Sequence, residues 1–213
     1  LAVIRQLQAR LATRETPVGF GSETRSELFA LRAPPTPPKP IRYVLNTHFH
    51  PDHTGGNGAI AGAGRTITGG NVAGDLSDAS QSAAVVAHES VLHRMSRVVP
   101  ALPFRALPTD AYFTPFFKLG AHFNGEGIQL IDMPAAHTEH DSLVWFRGSD
   151  VVSTGDVFIQ TGYPRIDLDA GGSINGVVDA LNNILDLAFP EFRLEGGTMI
   201  VPSHGYVADE FDV

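Results

Sequence analysis

The stretch Thr47-His48-Phe49-His50-Pro51-Asp52-His53-Thr54-Gly55-Gly56-Asn57 places four potential metal ligands within six residues. It directly follows the apolar run Ile41-Arg42-Tyr43-Val44-Leu45, which reads as a short buried strand. Gly55-Gly56-Asn57 reads as a turn. The four side chains therefore sit on a loop at a strand end, where a rigid scaffold usually carries its chemistry. His48 and His50 are two apart, so in extended chain both rings face one side. Pro51 bends the chain and can aim Asp52 and His53 at a second point. One short loop can serve two metal ions. A chance cluster on a polar loop is the alternative, but His-x-His-x-Asp-His followed by Gly-Gly is far more specific than a lone His-x-His.

Three further residues share that context. His137 follows the expected strand 127–133. Asp156 follows the expected strand 150–154 through Gly155. His204 follows the expected strand 198–201, within Pro202-Ser203-His204-Gly205. Any one of these alone would read as a turn residue. Four strand ends each delivering a metal-capable side chain form a pattern, because strand ends on one edge of a sheet converge.

Composition bounds the chemistry. The 213 residues are 43% hydrophobic and 18% charged, a globular balance long enough for one domain with a sizeable core. The formal net charge of −8 and pI of about 5.5 argue against a general nucleic-acid binder. There is no cysteine, which excludes disulfides, cysteine-based zinc sites and a thiol nucleophile. Metal binding must use histidine and carboxylate, which suit zinc and also iron or manganese. No apolar run approaches the ~20 residues needed to span a bilayer, and residues 1–11 do not read as a signal peptide.

The elements that position these residues follow from periodicity. Residues 1–11 read as an amphipathic helix, and 12–40 as a loop ending in Ala-Pro-Pro-Thr-Pro-Pro-Lys-Pro. Residues 1–40 are thus an N-terminal helix and Pro-rich loop, and 41–213 are expected to form the domain proper. Residues 65–68 read as a short strand and Ser82–Val98 as a helix. Within that helix His88-Glu89 and His93 miss the zinc-protease spacing, which needs a second histidine at Leu92, so both histidines read as ordinary helix residues. Residues 99–118, rich in Pro and Phe, read as irregular chain covering the core. Strands are expected at 127–133, 142–146, 150–154 and 198–201. A helix is expected over 173–188, capped by Ser173, with a broad apolar stripe of Ile174, Val177, Val178, Leu181, Ile184, Leu185 and Leu187.

His48-x-His50-x-Asp52-His53, then His137-Thr138, Gly155-Asp156 and His204-Gly205 resemble the full ligand signature of the metallo-β-lactamase superfamily. The resemblance runs from about residue 41 to 206. It implies an α/β (α+β) fold, an αββα sandwich, with a dinuclear site at one edge that usually holds two zinc ions. It implies that His48, His50 and His137 hold the first metal and that Asp52, His53 and His204 hold the second, with Asp156 bridging. Ala136-His137-Thr138-Glu139-His140-Asp141-Ser142 and Tyr163-Pro164-Arg165-Ile166-Asp167 resemble phrases of one hydrolase branch. A hydroxide between two metals is a nucleophile at neutral pH, and Asp52 could hold it or pass a proton to the leaving group. His140 is read as a residue supporting a ligand or lying on the surface, with a substrate contact as its functional alternative; His122 is read as surface.

The sequence departs from the family in two ways. The β-lactamases of the superfamily carry Cys or Ser where this chain has Asp156; Asp is the pattern of thioesterases, lactonases and phosphodiesterases, which makes β-lactam cleavage secondary. Family members also have several strands ahead of the first motif. None is read in the 40 residues before Ile41, so the N-terminal strands are expected to be lacking or replaced. The function expected is a zinc-dependent hydrolase acting on a small-molecule ester, thioester, lactone or amide, with residues 99–118 and 157–170 helping to shape its pocket. An iron-dependent oxidoreductase of the same fold and a phosphodiesterase are the alternatives, and a structural metal module is disfavoured because such sites are closed four-ligand sites. No nucleic-acid or membrane partner is expected.

Overall fold

The computed structural model describes residues 1–12, 40–65, 82–123, 126–188 and 197–213. All of the expected strand at 65–68 except Arg65, and nearly all of the Pro-rich loop, lie outside these residues. The first helix, α1, spans Ala2–Ala12. Strand β1, Tyr43–Leu45, leads into the histidine loop, which winds into a short helical turn, α2 (Pro51–Thr54), and then α3 (Asn57–Gly62). Asn57 was expected in a turn and instead opens α3. Its buried amide pairs reciprocally with Asn46, at 3.0 and 2.8 Å, which fixes both ends of the loop.

The expected helix over 82–98 is two elements: strand β2 (Ala84–His88), then helix α4 (Glu89–Met95). Ala84–His88 is buried throughout and pairs in parallel with β1 on one side and β3 (Asp110–Tyr112) on the other. A central parallel strand buried on both faces reads as a continuous apolar run, which periodicity cannot tell from a buried helix. His88 ends the strand and caps α4, its ring accepting from Ser90 N–H. The stretch expected to be irregular, 99–118, also holds a 3-10 turn (Phe104–Ala106), β3 and the start of β4 (Phe116–Phe123).

A second sheet has the order β4, β5 (Glu126–Pro134), β6 (His140–Phe146), β7 (Val151–Gly155), β8 (Met199–Pro202). All its pairings are antiparallel except β7 with β8. Strands β5, β7 and β8 therefore run the same way, and His137, Asp156 and His204 all leave the same edge. Helix α5 (Ile174–Leu187) starts at Ser173, whose Oγ accepts from Gly176 N–H at 3.0 Å.

Alternation along β2 fixes the layering. Val85 and Ala87 face α3 and α4, while Val86 faces the other sheet, packing with Tyr112, Leu130 and Val144. On the far side, Leu143, Val152 and Ile200 pack under Val177, Ala180 and Ile184 of α5. The order helix, sheet, sheet, helix is an αββα sandwich. The stripe on α5 is narrower than expected: Ile174, Val178 and Leu185 are exposed. Among the described residues no strand precedes β1, and no helix is long and apolar enough to cross a membrane.

Candidate metal centre

Seven of the eight residues singled out from the sequence meet at the shared strand edge. His48, His50, His137 and Asp156 form one group of donor atoms, and Asp52, His53 and His204 form an adjacent one, each within 4.8 Å. The first loop enters this edge because Thr47 C=O accepts from Ser142 N–H of β6, at 2.8 Å. His48, His137 and Asp156 are buried, whereas the Asp52 and His204 side chains are 59% and 41% exposed. The first group is therefore the closed end and the second the mouth.

Asp156 joins the two groups. Its Oδ2 lies 3.5 Å from His137 Nε2 and 4.0 Å from His48 Nε2. Its Oδ1 lies 3.1 Å from His53 Nε2 and 3.6 Å from His204 Nε2. Burial alone would raise its pKa, but hydrogen bonds from His53 and Ser203 and the nearby His48 hold it below the usual carboxylate range. Burial also opposes charge on His53, yet the Asp156 hydrogen bond and charge raise its pKa above the ordinary imidazole value. His48 is pushed down to about 2, by burial first and His53 second, which keeps its ring neutral.

The tautomers show why this arrangement fits a cation. His137 Nδ1 faces the Arg165 carbonyl at 2.6 Å, so it carries the proton. His50 Nε2 faces the Asp167 carboxylate at 3.0 Å and carries its proton too. The remaining nitrogens, His137 Nε2 and His50 Nδ1, then bear lone pairs that face each other at 3.1 Å, with His48 Nε2 3.0 Å from the same His50 atom. Lone pairs at that distance repel unless a positive centre lies between them. At the mouth, His204 Nε2 is a buried atom with no hydrogen-bond partner, 3.6 Å from Asp52 Oδ2. A buried polar atom without a partner is costly, and a metal ion would satisfy it. The donor set suits a borderline cation such as zinc.

Supporting residues hold this geometry. Thr47 Oγ1 touches both His48 Nδ1, at 3.1 Å, and His53 Nδ1, at 3.4 Å. Gly155 has φ +55, and a Cβ there would sit 2.7 Å from Thr47 Oγ1. Gly155→Ala is therefore expected to cost about 1–3 kcal/mol, read as a lowered urea midpoint. The buried Asp141 accepts from Thr138 N–H at 2.7 Å and closes the turn that carries His137. Its pKa is pushed up to about 6 by burial, against the Thr138 hydrogen bond. Arg94 pairs with Glu139 at 2.9 Å, donates to Ala170 C=O at 3.1 Å and lies over the Phe49 ring, tying α4 to three loops of the site.

His140 does not join either group. Its Nδ1 lies 2.9 Å from Asp132, and its ring stacks on His88, 4.0 Å away. His88 is no ordinary helix residue either, being a buried strand end. The His122 side chain lies outside the described residues. Sequence reasoning passed over Asp167, Ser203 and Thr47. The only signal for Asp167 was its place in the Tyr163–Asp167 phrase, since a supporting carboxylate 117 residues from its histidine leaves no spacing to read.

The family model described as "Metallo-beta-lactamase superfamily" matches residues 17–209. The chain belongs to the metallo-β-lactamase superfamily. Solved structures with the same fold include a metallo-β-lactamase from Pontibacter korlensis, 16% identical, covering 83% of this chain and 66% of that one, with a TM-score of 0.54. DIM-1 metallo-β-lactamase is 19% identical, covering 78% of this chain and 62% of that one, with a TM-score of 0.52. BLEG-1 B3 metallo-β-lactamase is 21% identical, covering 80% and 73%, with a TM-score of 0.54. The chain thus spans less than two thirds of the length of the first two. No curated protein matches it. Within this superfamily the His/Asp cluster is a site that could bind metal.

Proposed function

We propose that this superfamily member is a zinc-dependent hydrolase of small-molecule esters, thioesters, lactones or amides. The observation that carries the reading is the Asp156 carboxylate, which turns one oxygen to each group of donors. His48, His50, His137 and Asp156 Oδ2 would hold one ion. Asp52, His53, His204 and Asp156 Oδ1 would hold the other. When bound, such ions lower the pKa of water to about 7 and polarise a carbonyl oxygen. No side-chain nucleophile is then needed. Asp52, at the open mouth, would pass a proton toward a leaving group. Asp167 and the Arg165 carbonyl hold protons on the outer nitrogens of His50 and His137, so the inner nitrogens stay lone-pair donors.

The similar solved structures are β-lactamases by name, and a β-lactam is a strained cyclic amide, so it belongs in the substrate panel. The deciding assay is hydrolysis of a p-nitrophenyl ester, a thioester, a lactone and a β-lactam, before and after chelation. Turnover of at least one, lost on chelation and restored by zinc, supports the reading. Turnover indifferent to the chelator, or no turnover on any of the four, overturns it. Asp167→Asn is expected to weaken metal affinity about 10- to 100-fold while leaving the fold intact, measured by competition with a chromophoric chelator.

A further inference from the structure

A second cluster of donor side chains lies away from the centre just described. His88, at the end of β2, Asp132, on β5, and His140, at the start of β6, present donor atoms all within 4.8 Å of one another. His88 is buried, and His140 and Asp132 are half-buried. The cluster is reachable, because His88 and His140 line a cavity of about 650 Å³ whose wall also carries Glu89, Ser90, His93 and Glu139.

We propose that His88, Asp132 and His140 form a third cation site, taking a divalent transition-metal ion such as zinc. Histidine ligands characteristically donate their second ring N–H to a carboxylate or a similar acceptor. His140 has that support, its Nδ1 meeting Asp132 Oδ1 at 2.9 Å, while His88 is held in place through Ser90, whose N–H donates to its Nδ1 and whose Oγ lies 3.0 Å from the same atom. The His140–Asp132 pair repeats the device seen at His50–Asp167. The rings lie face to face, with centroids 4.0 Å apart and planes 21° apart. Two charged rings would not rest so, and burial lowers the pKa of His88, which keeps it neutral and able to bind. His140 lines the cavity with its side chain 34% exposed, so an ion entering from the cavity meets it. Glu139 and His93 on the wall, or water, complete the coordination.

The site stands apart from the dinuclear reading, and the experiment separates the two. Exhaustively dialysed parent protein, Asp156→Asn, His140→Phe and Asp132→Asn are each titrated with zinc alone by calorimetry, with bound metal counted by elemental analysis. His140→Phe keeps an aromatic ring in the stack and removes its nitrogens; Asp132→Asn keeps a polar partner for His140 and removes the charge. The expected result is one fewer zinc per chain for His140→Phe than for the parent, weaker uptake of that same ion by Asp132→Asn, and its retention by Asp156→Asn. Equal zinc uptake by His140→Phe and the parent overturns the proposal. An Asp156→Asn protein that binds as many ions as the parent counts against the dinuclear centre, whatever His140→Phe does.

Discussion

Asp156→Asn is expected to lower kcat/KM on the best substrate by on the order of a thousandfold, about 4 kcal/mol of lost transition-state stabilisation. Asn has the size of Asp and keeps one acceptor oxygen, so the 3% exposed site can close around it. It lacks the charge, and it replaces one of the two oxygens that face the two donor groups with an N–H donor. Metal content should fall in parallel. Circular dichroism and the thermal midpoint serve as controls for folding. Activity within a few-fold of the parent, with metal retained, would mean that Asp156 does not join the groups in the way its geometry indicates.

Leu143→Ala is expected to destabilise the fold by about 2–5 kcal/mol with no change in the metal site. Leu143 is fully buried in the cluster where the second sheet meets α5, beside Val152, Ile184 and Ile200. A cavity there cannot collapse easily, because strands hold it on one side and a helix on the other. In a chain of this size the thermal midpoint should drop on the order of 10 °C. An unchanged midpoint would show that the second sheet and α5 are not packed as described.

The candidate site was more legible than the fold around it. Seven site residues could be read because metal chemistry confines the choice to His and carboxylate, and because each follows a short apolar strand. Strands β5 to β8 of the second sheet are legible because their faces differ. Strand β2 was mistaken for helix because Ala84–Val86 is apolar on both faces, and because His88, Leu92 and Met95 fall at helical spacing beyond it. Strands β3 and β4 were hidden by the prolines around them, which mark the turns between strands as readily as irregular chain. The supports were illegible for another reason. Asp167 reaches His50 across 117 residues of chain, and Asp132 reaches His140 across the β5–β6 hairpin, whose register spacing alone does not give.

The most direct test is the metal content of the purified, dialysed protein by elemental analysis. About two zinc ions per chain are expected at this centre, and about one more where the His88, Asp132 and His140 site is filled, with the count falling when Asp156 is replaced by Asn. About one iron per chain would contradict the hydrolase reading in favour of oxidative chemistry. No bound metal, even after incubation with zinc, would contradict the central claim that the facing lone pairs of His50 and His137 and the unpartnered His204 Nε2 are built to hold a cation.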